Sequence, residues 1–330
     1  MTTRAVPSAR RRLLTLAVAA SLGSVGAARR VCAQPGAVRR LVVGFPAGGL
    51  ADRLARIVAE ALNQAASSSF VVENRPGASG MIGTELVTKA DPDGHTLLGH
   101  TSSYPATAAV RAKLPFDPGR AIVPVSMTAR APMLLAIHPT VPAKGVKDLV
   151  ALAKKNPGKL HYGSSGTGGN NHFSGALFAA GAGVEMTHVP YKGISQAVTA
   201  LASGEVEIVI ASAAALLPQW KSGRVRVIAV TTLERSALFP ELPSVAQSGV
   251  PGYSYELWWG VFAPAGISAE RAAQINAVAN KIVAGAEMKK FLDNEGADPW
   301  PLTMQQLDGF LVREIDRYRK AAKLAGIEPQ

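Results

Sequence analysis

The chain of 330 residues has little of what several protein classes require. Cys32 is its only cysteine, so no intramolecular disulfide can form. None of the six histidines stands in His-x-His or His-Glu-x-x-His spacing, and no metal site or other cofactor is expected. The uncharged stretch from Leu13 to Ala28 falls short of the ~20 apolar residues that cross a bilayer. After it there is no internal repeat and no low-complexity tract. Lys and Arg outnumber Asp and Glu by 35 to 23, yet the basic residues are scattered and not interleaved with aromatics. Nucleic acid is therefore not an expected partner.

What is present begins with an export signal. Arg10, Arg11 and Arg12 precede the apolar stretch, and Val31-Cys32-Ala33 offers a small-residue cleavage site. Residues 1–33 are expected to be a signal peptide cut after Ala33; cutting after Ala28 is the alternative, because Arg29 and Arg30 crowd the site. Arg10-Arg11 followed by Leu13-Leu14 also resembles a twin-arginine signal, which leaves the export route open. The neighbours of Cys32 do not form a lipid-attachment motif. Removing residues 1–33 takes away six basic residues and no acids, leaving 29 against 23, a net charge of +6. The expected mature chain is periplasmic and long enough for two cores.

Short apolar segments alternate with helical patterns, which predicts an α/β fold with parallel strands. Strands are expected at Leu41–Val43, Phe70–Val72 and Thr96–Leu98. A second group is expected at Met133–Ile137, Leu160–Tyr162, Thr187–Val189, Val206–Ile210 and Val225–Val230. A helix starts at Leu50, and another spans Val146–Lys155 and stops before Pro157-Gly158. Gly296 closes a helix, Thr303 with Gln306 makes a capping box, and Leu307, Phe310, Leu311, Ile315 and Tyr318 form one buried stripe.

Several segments resemble, in order and spacing, the substrate-binding receptors of tripartite tricarboxylate transporters. They are Val43-Gly44-Phe45-Pro46-Ala47-Gly48-Gly49-Leu50-Ala51-Asp52, Val71 to Gly80 (with Glu73-Asn74-Arg75-Pro76-Gly77), Asp91 to Leu98, Lys113 to Pro118, His188 to Gly193, and Phe262 to Gly266. Together they cover essentially all of residues 38–327. The resemblance implies a two-lobed periplasmic-binding-protein fold of the second type with a ligand cleft between lobes. It implies a discontinuous lobe one, residues 34–135 and 230–330, and a lobe two of residues 136–229. Met133–Ile137 and Val225–Val230 would then cross between them.

Two glycine-rich loops carry the expected chemistry. Gly48-Gly49 at a helix start leaves amide groups for a carboxylate, helped by the helix dipole; a plain turn is the competing reading. Asp52 would repel an anion and is expected to cap that loop. Gly163 to Asn171 lacks the Lys-Ser/Thr of a P-loop and reads as a cluster of neutral donors. Thr101-Ser102-Ser103 is a third cluster. With the resemblance, the expected ligand contacts are Phe45, Ala47, Gly48, Gly49, Thr101, Ser102, Ser103, Ser165, Thr167, Gly168, Asn170, Asn171 and Ser212. His172 is expected to donate a hydrogen bond under its loop. Trp258-Trp259 reads as packing or as a stacking platform, packing being favoured.

Where relatives often carry an aromatic–Asp pair, this chain has Ile210 and Ala211, followed by Ser212. Ala51 replaces a common hydroxyl. The missing carboxylate points toward ammonium-free acids, and the apolar substitutions would suit a larger or aromatic carboxylate. Gly193 to Ala197 approximates a nucleophile elbow but does not directly follow a strand, and no triad accompanies it. The expected function is a monomeric, non-enzymatic receptor that hands a small carboxylate to a membrane permease of the tripartite tricarboxylate type. A ligand sensor feeding a signalling partner is the alternative, and a hydrolase is the third reading.

Overall fold

A computed structural model describes residues 2, 39–66, 69–324, 326 and 327. The leader's arginines, its apolar stretch and both cleavage sites lie outside the described residues. The expected α/β class holds. Strands run in the order β2 (Phe70–Asn74), β1 (Arg39–Val43), β3 (Thr96–Thr101), β9 (Glu256–Pro264), β4 (Ile122–Ile137), β7 (Ile208–Ser212), β5 (His161–Ser164) and β6 (Thr187–Pro190), with β10 (Asp298–Pro299) and β8 (Arg226–Val230) also pairing along β4.

The first set comprises β1 (Arg39–Val43), β2 (Phe70–Asn74) and β3 (Thr96–Thr101), all parallel. The helices α1 (Leu50–Ala66), α2 (Met81–Thr88) and α3 (Ser103–Val110) follow them in turn. The second set comprises β5 (His161–Ser164), β6 (Thr187–Pro190) and β7 (Ile208–Ser212), again parallel. Around it lie α4 (Val146–Lys155), α5 (Asn170–Ala182), α6 (Ile194–Ser203) and α7 (Ala213–Lys221). One long strand, β4 (Ile122–Ile137), joins the sets. Its first part pairs antiparallel with β9 (Glu256–Pro264), and residues from Met133 onward pair with β7 and with β8 (Arg226–Val230). Proline cannot donate to a ladder, and Pro132 stands where β4 changes partners.

The pleat sorts the core. Leu134 and Ala136 join a cluster with Leu201 and Leu216, while Leu135 and Ile137 join one with Leu149 and Phe173. Strand β1 divides likewise, with Leu41 and Val43 on one face and Val42 on the other. Period-two burial on both faces is what a sheet covered by helices on each side demands.

The sequence reading missed β9, a central antiparallel strand between β3 and β4. Its run Val261-Phe262-Ala263 is buried on both faces and shows no alternation to betray a strand. The C-terminal region carries α8 (Ala269–Val283), α9 (Ala286–Glu295), a two-residue β10 (Asp298–Pro299), α10 (Met304–Leu307) and α11 (Phe310–Leu324). The capping box of Thr303 and Gln306 is present, and Gly296 caps α9 in the left-handed region. The predicted buried stripe holds, although Gly309 at φ 64° breaks the helix inside it.

Candidate functional site

The loops after β1, β3, β5 and β7 are placed by the ruler of β4. Thr101 at the end of β3 pairs with Trp259, and Trp259 pairs with Ala129 of β4. Ser212 at the end of β7 pairs with Met133. Four residues of strand separate those levels, about 13 Å at 3.3 Å per residue. Loops from the two strand sets therefore emerge toward one region from opposite ends of a single strand.

In the β1–α1 loop, Pro46, Ala47, Gly48 and Gly49 are exposed and Phe45 is half-buried. Asp52, almost wholly enclosed, organises it. Its carboxylate accepts from the Gly48 amide (2.9 Å), from Arg56 Nε (3.0 Å) and Nη2 (2.9 Å), and from Asn74 Nδ2 (2.9 Å). Asn74 also donates to the Phe45 carbonyl at 3.1 Å. Burial raises the carboxyl, but the bonds from Arg56, Gly48 and Asn74 outweigh it and hold it at about 2. Asp52 thus caps the loop, as its position suggested. The Gly48 amide, however, is committed to that carboxylate and is not bare, whereas the Gly49 amide has no hydrogen-bond partner among the described residues.

The β3–α3 loop folds on itself. Thr101 Oγ1 and Ser103 Oγ lie 2.9 Å apart, and the Ser103 amide donates to Thr101 Oγ1 at 3.1 Å. Ser103 also reaches the Ser79 carbonyl at 3.4 Å. Ser102 departs from expectation. Its hydroxyl is fully enclosed beside Tyr318 of α11, without meeting hydrogen-bond geometry, because its amide is drawn inward to the Trp258 carbonyl. Beneath this loop, His100 accepts from the Thr101 amide at Nδ1, and its Nε2 lies against Gly80. Burial pushes His100 down to about 4, opposed by the Thr101 carbonyl, 3.2 Å from Nδ1, and by the backbone of Gly80.

In the β5–α5 loop, Thr167 is exposed and Gly168 is buried at φ 76°. Ser165 Oγ donates to Asn171 Oδ1 at 2.8 Å, and Asn171 Nδ2 donates to the Ile210 carbonyl at 2.7 Å. Asn171 is thereby spent on holding β5 against β7. Asn170 Oδ1 accepts from Tyr255 at 2.9 Å, which orients its amide nitrogen away from that phenol. His172 reverses its expected role: Nδ1 accepts from the Gly168 amide at 3.0 Å, since a glycine N–H is what faces it. Ser212 is half-exposed at the start of α7 and its side chain makes no capping bond.

Sequence reasoning missed Ser79, held left-handed at φ 57° beside Ser103, and the partnership of His172 with His188. The first is the kind of position glycine usually takes; the second joins residues 16 apart in sequence. Trp258 is buried, stacks edge-on against Phe310 and donates to Glu314, so it packs. Ser195 is exposed on α6, and no base bonds its side chain among the described residues. No cluster of three metal-ligating residues occurs among the described residues.

Facing strand-end loops on two α/β sets joined through one strand define a two-lobed solute-binding protein. The sequence profile of the tripartite tricarboxylate transporter family receptor matches residues 54–327, and the chain belongs to that family. It is 35% identical over 312 residues to the UPF0065 protein in the tcbD-tcbE intergenic region of Pseudomonas sp. (strain P51), covering 94% of this chain and 93% of that protein. Among solved structures it resembles R. palustris Rpa4515 with adipate, at 36% identity and a TM-score of 0.76, covering 89% of this chain and 98% of that one. It also resembles MatC (Rpa3494) from Rhodopseudomonas palustris with bound malate, at 26% identity and a TM-score of 0.70, over 86% and 98% of the two chains. No helix among the described residues is long and apolar enough to cross a membrane.

Proposed function

We propose that the chain is a periplasmic receptor that encloses a small organic carboxylate and delivers it to a permease of the tripartite tricarboxylate type. The lobes are residues 34–135 with 230–330, and residues 136–229, with the cleft along the middle of β4. The contacts come from Phe45, Ala47 and Gly49 on one side, joined by Thr101 and Ser103. Ser165, Thr167, Asn170 and Ser212 supply the other side.

The observation that carries this reading is the donor set. Residues 45–50, 101–103 and 163–171 contain no Lys or Arg, yet they offer hydroxyls, amides and two helix starts from both strand sets. Such neutral donors suit a carboxylate, whose bonds with N–H and O–H groups are charge-assisted. The related structures with adipate and malate support a dicarboxylate of four to six carbons, and the apolar Ile210 and Ala211 favour one without an ammonium group.

A thermal-shift screen of adipate, malate and aromatic acids tests it. A ligand at 100-fold over Kd is expected to stabilise by about 2.7 kcal/mol. Stabilisation by sugars or cations with none by any carboxylate would overturn the proposal. Gly49→Val locates the site: a Cβ there meets nothing nearer than the Pro46 carbonyl at 3.7 Å, so the fold tolerates it. Loss of binding with unchanged unfolding is the expected result, and parental affinity would show that the loop is only a turn.

A further inference from the structure

His172 and His188 lie under the β5–α5 loop with ring centroids 3.8 Å apart and planes 11° from parallel. Each ring holds a different part of the loop. His172 takes the Gly168 amide, while His188 Nε2 is 2.6 Å from Ser164 Oγ, which accepts from the Gly166 amide and donates to the Gly166 carbonyl, both at 3.1 Å. Tyr162 of β5 covers the pair, its ring 6.2 Å from His172 and 5.0 Å from His188. Of the other elements against α5, α11 carries Glu314, which is engaged by Trp258 and Arg317. Helix α3 presents Val110 to Gly168, and α11 presents Tyr318 to Phe173. Tyr253 and Tyr255 bond the Ser174 carbonyl and Asn170. No carboxylate, lysine or arginine acts on either imidazole among the described residues.

We propose that the stacked imidazoles are positioning residues for the β5–α5 ligand loop, holding it only while both are neutral, so that acid releases the ligand. The inference rests on the receptor reading above, because it regulates the same site.

The argument is one of proton positions. Since His172 Nδ1 accepts from Gly168, the ring's proton sits on Nε2, and a second proton can go only to Nδ1. That proton removes the acceptor and sets two donors head to head. His172 also occupies the first turn of α5, where the helix dipole opposes positive charge. Charging both rings places like charges in van der Waals contact with only a neutral phenol beside them. In agreement, burial lowers His172 to about 4, with the charge of His188 adding, and burial lowers His188 to about 4. Asn170 and Asn171 directly precede His172, so a loosened Gly168 disturbs donors on both sides of it.

The test uses the full chain with adipate as probe. Calorimetric Kd values are measured from pH 7.5 to 3.5 for the parent and for His172→Asn, whose Oδ1 keeps an acceptor for Gly168 and does not titrate. Each Kd is divided by that protein's own value at pH 7.5, which cancels adipate's own protonation when the two proteins are compared. The parent is expected to weaken about fourfold more than the variant at pH 3.5, half a unit below the neutral–charged midpoint. In the ligand-free parent, Gly168 amide exchange is expected to accelerate over the same interval while circular dichroism stays folded. Identical pH profiles for the two proteins would overturn the inference, as would unchanged Gly168 exchange or global unfolding before Gly168 loosens. If no carboxylate binds at pH 7.5 but Gly168 still loosens in acid, the receptor reading falls and the imidazole device stands.

Discussion

The β1–α1 and β5–α5 loops have the same shape of task, since each holds glycines at a helix start, but opposite electrostatics. The first is braced by a buried carboxylate with four donors, two of them from one arginine. The second is braced by an amide side chain, two serines and two uncharged imidazoles. A charge-paired brace gains strength from ionisation, whereas a neutral brace is undone by it. The proposed carboxylate ligand is compatible with Asp52 nearby because Arg56, Asn74 and the Gly48 amide have already claimed the side chain's lone pairs.

Removing the charged brace should have the largest effect. Asp52→Ala leaves Arg56 to rehydrate at the surface, but the loop loses the carboxylate that joins Gly48 N–H to Asn74, and Asn74 Nδ2 keeps only its bond to the Phe45 carbonyl. The expected loss is about 2–4 kcal/mol in urea unfolding. His172→Ala, which deletes one neutral acceptor, should cost less. Equal losses would mean that the two braces do not differ in kind.

Acid should separate them next. Asp52 sits below its ordinary value, so its contribution is full above pH 3.8 and is lost only as pH falls toward about 2. His100, His172 and His188 sit below the ordinary 6.5, so the unfolded chain takes up their protons first. Stability is therefore expected to decline from pH 6.5 to about 4 while Asp52 is still intact. His100 alone, wholly enclosed, accounts for about 2–3 kcal/mol of that decline, since each pH unit between its unfolded and folded values is worth about 1.4 kcal/mol. Denaturant midpoints at pH 7 and 4.5 check it, and a His100→Asn variant should flatten the slope.

The same contrast explains what could be read in the chain beforehand. Features with local causes were legible: α4 has the predicted bounds Val146–Lys155, Gly296 caps its helix, and Thr303 pairs with Gln306. Asp52 was legible because its partner Gly48 lies four residues away. Features decided by distant partners were not. Ser102 points inward because Trp258 holds its amide, and β9 is a strand because β3 and β4 flank it. His172 accepts instead of donating because the Gly168 amide faces it, and its stacking on His188 depends on β6 lying beside β5. Local chemistry named the loops; tertiary pairing decided which atoms in them remain free.

The smallest expected effect compares one hydroxyl from each side of the site. Ser165 Oγ donates to Asn171 Oδ1, and Asn171 keeps its second bond, to the Ile210 carbonyl, when that hydroxyl is removed. Ser165→Ala should therefore cost about 0.5–1.5 kcal/mol of stability, the net worth of one neutral hydrogen bond. Thr101 Oγ1 accepts from the Ser103 amide and pairs with Ser103 Oγ, so Thr101→Val, nearly the same in volume, deletes two contacts. On stability alone Thr101→Val should lose more. On carboxylate affinity the two should lose alike, about 1.5–3 kcal/mol each, if both hydroxyls donate to the charged ligand as proposed. Measuring both variants by urea unfolding and by adipate calorimetry separates the two roles. If Ser165→Ala loses stability but no affinity, that hydroxyl only braces Asn171, and the donors on the β5–α5 side reduce to Thr167 and the Asn170 amide.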